Sequence, residues 1–103
     1  MGLGYPPHRR LMMIRVSHIQ EQTAEQFCGQ VARLIRQEAK GNCQVLGPVT
    51  SPLAKLRGRH RFQMLLKAAS VRFLHQMASV VQAQCKPPAG TKILFDVDPL
   101  DML

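Results

Sequence analysis

Two stretches in the first half of the chain have the hydrophobic periodicity of regular secondary structure. Over Leu11–His18, apolar side chains at every second position predict a β-strand with one buried face. A helix is predicted next, because apolar residues then recur every three or four positions and Thr23 and Gln26 match a capping box. Gly41-Asn42 is expected to end that helix. The apolar stripe of the helix consists of Ala24, Phe27, Cys28, Val31, Leu34 and Ile35.

The second half of the chain alternates between strand and helix patterns in a similar way. Gln44–Val49 is predicted to be a short edge strand, because Gly47-Pro48 interrupts the pattern. Thr50–Gly58 is predicted to be a loop, and Arg59–Lys67 a strand with alternating inward and outward residues. The other predicted elements are a helix that Ser70 caps and that ends near Gln84, a connector at Lys86–Gly90, and a strand at Thr91–Val97.

The resulting order of elements, β-α-β-β-α-β, indicates a protein of the α+β class. Two helices on one face of a four-stranded sheet make a ferredoxin-like plait. In that topology the first and third strands are central, and the fourth strand lies beside the first. Asp96 is expected close to Arg15, as a partner for an ion pair. The open face of the sheet is expected to show Arg15, Ser17, Arg61, Gln63 and Lys67.

Positive charge dominates the middle and the end of the chain. The 103 residues carry a formal net charge of +8, and no carboxylate lies between Glu38 and Asp96. That interval contains nine Lys and Arg residues, four of them in the run Lys55–Arg61. Such a surface attracts polyanions, most commonly nucleic acid, although a charge run is also compatible with a solvated loop. The residues predicted to contact phosphate are Lys55, Arg57, Arg59, Arg61 and Lys67, followed by Arg15 and Gln63.

The sequence offers little for base stacking or for catalysis. Aromatic residues make up 5% of the chain, which favours contact with a nucleic-acid backbone over base-specific recognition. No phosphate-binding glycine motif and no His or Cys spacing typical of metal ligands is present. Asp96, Asp98 and Asp101 fit a turn at a strand end better than a site for a divalent ion. We therefore predict no catalytic and no metal site, and buried free thiols at Cys28 and Cys85.

Four short segments are more specific together, in their order along the chain, than any of them alone. They are Tyr5-Pro6-Pro7, Val45–Val49, Leu56–Lys67 and Asp96–Pro99, and they span nearly the whole chain. In these segments the chain resembles the C-terminal domain of the primosomal protein N-prime family, the PriA replication-restart helicases. The family usually has an aromatic residue and often a glycine after Pro-Pro, whereas this chain has His8-Arg9 there.

This resemblance implies that the chain is one part of a larger protein. Residues 1–10 would be a linker from the preceding helicase lobe, and residues 11–103 a C-terminal DNA-binding and docking domain. The parent would be a bacterial, cytoplasmic, ATP-dependent 3′-to-5′ helicase that acts in replication restart and primosome assembly. The resemblance places the ATP, magnesium and zinc sites in the parent, so no cofactor and no enzymatic activity are expected in this chain itself.

The resemblance also implies which partners the domain meets. They are branched or single-stranded DNA, the helicase core of the same protein, and the acidic tail of single-stranded DNA-binding protein. The family's tail-binding positions correspond to Val71 and His75, which are not basic, so that site is not transferred to this chain. No membrane partner is expected, because no apolar run approaches the ~18–20 residues of a membrane span.

Two other hypotheses stay open on the sequence. One is a free-standing RNA- or ribosome-binding domain, for which structured RNA should bind better than forked DNA. The other is a structural lid, whose basic face is buried against the rest of a larger protein and which has negligible affinity for nucleic acid in isolation. Each hypothesis therefore predicts a different result when forked DNA and an RNA hairpin are compared.

Overall fold

Six elements of secondary structure make up the part of the chain that the structure describes. The structure is a computed structural model, and it describes residues 10–98 apart from the side chains of residues 52–56. Except for Arg10, the predicted linker lies outside the described residues, and so does Asp101. The elements are β1 (Arg10–His18), α1 (Glu21–Ala39), β2 (Cys43–Leu56), β3 (Arg59–Ala68), α2 (Val71–Gln84) and β4 (Lys92–Val97).

The four strands form one antiparallel sheet in the order β2-β3-β1-β4. The first and third strands along the chain are therefore central, and the fourth lies beside the first. This arrangement confirms the predicted ferredoxin-like plait of the α+β class, with its β-α-β-β-α-β order.

The hydrophobic core lies between one face of the sheet and the two helices. Alternation along β1 and β3 sends every second side chain of these central strands into the core. Both helices bury one apolar stripe against this face, as their periodicity predicts. Within residues 10–98, neither helix covers the opposite face of the sheet. The fully buried core residues include Met12, Ile14 and Val16 of β1, Leu66 of β3, Val31 and Ile35 of α1, and Leu74 of α2.

The two helices begin differently from one another. The predicted capping box of α1 is wrong, because the helix already begins at Glu21 and its N-cap is Gln20, which makes no side-chain capping bond. Thr23 instead donates its hydroxyl hydrogen bond to Oε1 of Gln20 at 3.3 Å. The predicted cap of α2 is confirmed, since Oγ of Ser70 accepts a hydrogen bond from the backbone N–H of Phe73 at 3.1 Å.

β2 is much longer than predicted. It lies at the edge of the sheet, as expected, but it continues through Pro48 to Leu56, so the predicted loop at Thr50–Gly58 is wrong. Gly47 and Pro48 together lie opposite the single residue Met64, because Leu46 pairs with Leu65 and Val49 with Gln63. A β-bulge of this kind absorbs the extra residue without ending the strand.

The bulge is supported from outside the sheet by α1. Arg36 donates hydrogen bonds from its guanidinium to the carbonyl oxygens of Gly47, at 2.7 Å, and Val45, at 3.3 Å. A bulge leaves ladder groups unpaired, and an arginine can satisfy two carbonyls at once because its donors form a fork. The basic residues near the end of α1 therefore include one that holds the irregular edge strand in place.

The β2–β3 connection is a tight hairpin. Leu56 pairs directly with Arg59, which leaves Arg57 and Gly58 as the two residues of the turn. Both have positive φ angles, 54° for Arg57 and 78° for Gly58. Two successive positive φ angles are typical of a type I′ turn, whose twist matches that of the strands it joins. The turn carries the exposed Arg57 at one end of the open face of the sheet.

Candidate nucleic-acid interface

Strand register sorts the uncovered face of the sheet into rows of neighbouring side chains. Ser17 of β1 lies between Lys92 of β4 and Arg61 of β3. In the next row, Arg15 lies between Leu94 and Gln63. Residues directly opposite each other in an antiparallel sheet have Cβ atoms roughly 5 Å apart. These two rows therefore bring basic side chains from three strands together, on the face that neither helix covers.

A cleft of about 250 Å³ opens between these rows and the β2–β3 turn. We call it the basic cleft. Among the described residues no carboxylate lines it, and Asp96 lies on the same face two residues beyond Leu94. Its lining consists of Arg15, Arg57, Arg59, Arg61 and Lys92, together with Val16, Ser17 and Leu94.

Arg59 is held in the cleft by hydrogen bonds to the fold itself. Its Nε donates to Oγ of Ser17 at 3.1 Å, and its Nη2 donates to the carbonyl oxygens of Ser17 and Gly90, each at 2.8 Å. These bonds join β1, β3 and the connector between α2 and β4. None of the acceptors is a carboxylate, so the guanidinium still adds its full positive charge to the cleft.

Not all of the predicted contact residues converge on this cleft. Lys67 pairs with Gln44 and Leu11 near the other end of the sheet, roughly 20 Å along the strand from Arg61. Lys55 pairs with His60 through the backbone, and its side chain lies outside the described ones. Gln63 lies beside Arg15 in the second row, but it does not line the basic cleft.

Lys92 and Leu94 line the cleft and were not predicted as contact residues. The signal for them was present in the sequence, because Ile93, Phe95 and Val97 of the same strand were expected to point inward. Those three residues do pack against the core, so their neighbours at 92 and 94 point to the open face. The alternation of β4 was thus sufficient to find both residues.

The expected ion pair between Arg15 and Asp96 is wrong. Arg15 lies opposite Leu94, while Asp96 lies opposite Met13. The ion pair found within residues 10–98 joins Arg10 to Asp98, at the start of β1 and just after β4. Arg15 therefore keeps its charge available in the basic cleft.

Asp98 has the structural role at a strand end that its sequence context suggested. Hydrogen bonds from the Arg10 side chain and from the Leu11 backbone N–H, at 3.0 Å, hold the pKa of the Asp98 carboxyl below its ordinary value. Asp98 also has a positive φ of 49°. No three His, Cys, Asp or Glu side chains within residues 10–98 come together as metal ligands.

We predict that the Arg10–Asp98 contact gives the fold a small acid-sensitive stabilisation. Because the pKa of Asp98 is lowered on folding, this stabilisation is present above the pKa of an unfolded carboxyl, about 4, and is lost as the pH falls further. Asp98→Asn should therefore flatten the decline of the unfolding temperature below about pH 4. An unchanged pH profile in this variant would assign the acid sensitivity to other carboxyls.

The three cysteines are free thiols. Cys28 and Cys85 are buried, as predicted. Burial raises the pKa of Cys28 to about 12, and it also raises the pKa values of Cys43 and Cys85. At neutral pH these groups stay protonated, and they pack as small apolar side chains.

Comparison with known proteins identifies the family. The model of the primosomal protein N C-terminal domain matches residues 1–100. The chain belongs to this family. Its membership confirms the resemblance carried by the four sequence segments.

Several relatives within this family are replication restart proteins named PriA. The chain is 28% identical over 102 residues to the protein of Haemophilus influenzae. This alignment covers 98% of this chain and 14% of that protein. The chain is 29% identical over 102 residues to the protein of Treponema pallidum, covering 99% of this chain and 16% of that protein. This member of the PriA C-terminal domain family thus spans less than one fifth of the length of these relatives.

The fold itself also occurs outside the family. A solved de novo designed protein, Foldit4, superimposes with a TM-score of 0.68 at 10% identity, covering 87% of this chain and 96% of that protein. At so low an identity the likeness concerns the fold alone. Among the described residues, neither helix has the length and apolar character needed to cross a bilayer.

Proposed function

We propose that this chain is an accessory DNA-binding and docking domain of a bacterial replication restart protein, and that the basic cleft contacts DNA phosphates. The observation that supports it best is the convergence of five cationic side chains on one cleft of the uncovered sheet face. The PriA relatives supply the biological setting, since they are replication restart proteins.

The charges in the cleft favour an anionic ligand. Arg15, Arg57, Arg61 and Lys92 make no side-chain hydrogen bond to the described residues, and no ion pair with them. Like charges this close repel each other, and a bound polyanion relieves that repulsion while releasing its own counterions. Arginine is suited to this task because its planar fork can donate two parallel hydrogen bonds to one phosphate.

The chemistry that these side chains offer is binding and positioning. The cations attract phosphate, Arg59 holds the hydroxyl of Ser17, and Leu94 adds an exposed apolar surface beside them. We assign helicase activity, with its ATP, magnesium and zinc sites, to the rest of a parent protein. The chain covers 14% of the Haemophilus relative, so most of such a parent lies beyond it. We also propose that this domain docks on the helicase core and on single-stranded DNA-binding protein, in the bacterial cytoplasm.

The first test is a measurement of DNA affinity across a salt series. We expect the 103-residue chain to bind a labelled three-way fork, with log Kd rising with log salt at a slope of about 3 to 4 if its four unpaired cations each meet a phosphate. Fluorescence anisotropy with fork, duplex, single strand and an RNA hairpin gives the comparison. A preference for the hairpin would favour the RNA-binding hypothesis, and negligible affinity for every ligand would favour the structural lid.

A further inference from the structure

A second, more apolar recess lies on the open face beside the basic cleft. It has a volume of about 210 Å³ and opens where the β-bulge widens the edge of the sheet. We call it the base slot. Leu46 and Val49, at its outer rim, are 42% and 54% exposed, so two large apolar side chains meet solvent there. The slot is lined by Met13, Leu46, Gly47, Val49, Gln63 and Leu65, with Met64 behind them.

The slot contains one polar side chain, and that side chain has an unsatisfied buried atom. Oε1 of Gln63 is inaccessible to solvent and has no hydrogen-bond partner among the described residues. An unsatisfied buried acceptor costs stability, so a ligand that draws the Gln63 amide out towards the slot and offers it a donor would relieve that cost. A side-chain amide offers a donor and an acceptor side by side, which matches the polar edge of a nucleobase.

Gln63 also connects the slot to the basic cleft. It lies directly opposite Arg15 on one side and opposite Val49 on the other. Cross-strand neighbours of this kind are roughly 5 Å apart. A nucleotide whose phosphate lies on Arg15 or Arg61 can therefore place its base beside Gln63, between the apolar walls of the slot.

We propose that the base slot takes one unpaired nucleobase of a single strand whose backbone lies in the basic cleft. The proposal rests on the DNA-binding function proposed above and adds the form of DNA that is recognised. A base inside a duplex is stacked and paired, and cannot enter such a slot. The apolar walls can pack against the flat face of any base by dispersion contacts, and the Gln63 amide can bind its edge.

The test separates the contribution of the bases from that of the backbone. We expect the 103-residue chain to bind a labelled oligo-dC strand at least about 5-fold more tightly than an abasic strand of equal length and charge. Gln63→Ala should lower affinity for oligo-dC and leave affinity for the abasic strand unchanged. Gln44→Ala is the matched control, because Gln44 lies on the same face of the sheet, on the neighbouring strand β2, but outside the slot.

The possible outcomes distinguish this proposal from the one on which it rests. If oligo-dC and the abasic strand bind equally and with the same salt dependence, the basic cleft remains the proposed DNA site. The proposal that the base slot binds a nucleobase is then wrong. Failure of both strands to bind would overturn the DNA-binding function itself. If Leu46→Ser dissociates a dimer in sedimentation experiments and changes neither affinity, the slot is an interface with a second copy, and the proposal is wrong.

Discussion

Replacing Arg57 and Arg61 together by alanine should lower the affinity of the chain for forked or single-stranded DNA by about 10- to 100-fold at low salt. Both side chains line the basic cleft, and neither is hydrogen-bonded to the described part of the fold. Each loss removes one cation that can fork onto a phosphate. The dependence of log Kd on log salt should flatten by about 1.4 to 1.8, since each phosphate contact contributes about 0.7 to 0.9.

The matched control for this prediction removes two charges from the other side of the molecule. Arg33 and Arg72 are exposed residues of the two helices, which cover the opposite face of the sheet. Arg33→Ala with Arg72→Ala changes the net charge equally, and it should weaken binding only slightly through long-range attraction. If both double variants lose the same affinity, the domain attracts DNA diffusely and the basic cleft is not the contact.

The unfolding temperature of the Arg57 and Arg61 variant shows whether a loss of affinity comes from lost contacts with DNA or from a destabilised fold. Because these side chains form no hydrogen bonds within the described fold, the unfolding temperature should stay close to that of the unsubstituted chain. Arg59 would be a poorer choice for this experiment, since its substitution also removes three hydrogen bonds that join β1 to the α2–β4 connector. A change of stability and a change of affinity would then be confounded.

The position of the basic cleft was largely predictable from the alternation of side chains along the strands. Arg15 and Arg61 were expected on the open face, and alternation in β4 also implied Lys92. What alternation cannot supply is the pairing register, which places Lys92 opposite Ser17. The hydrogen bonds of Arg59 could not be predicted from the sequence either, because its partners Ser17 and Gly90 are 42 and 31 residues away along the chain.

The course of β2 was the part of the fold that sequence patterns misrepresented. A Gly-Pro pair commonly ends a strand, because proline has no N–H to donate to a sheet. Here the pair falls at a bulge on an edge strand, where the missing N–H costs no ladder bond and Arg36 satisfies two carbonyls. These compensating contacts come from a helix earlier in the chain, so no local pattern reveals them. The base slot, which lies against the bulge, was unpredictable for the same reason.

Gly47 at this bulge should be among the residues least tolerant of substitution. Its φ is +105°, and a Cβ atom would lie 2.9 Å from the carbonyl oxygen of Gln63 and 3.3 Å from the Cα of Met64. Both contacts are with backbone, which cannot rotate away as a side chain can. We expect Gly47→Ala to lower the free energy of unfolding by about 2–4 kcal/mol. The midpoint of thermal unfolding should then fall by roughly 10–20 °C.

Gly41 provides the control that separates backbone strain from crowding. It has a similar positive φ of +86°, but nothing lies within 4 Å of the position of its Cβ. Gly41→Ala should therefore cost only about 1 kcal/mol, from the unfavourable φ alone. Equal losses in the two variants would show that the edge strand shifts to accommodate the methyl group at Gly47. In that case the β2–β3 approach at the bulge is not a rigid feature of the fold, and the walls of the base slot are adjustable.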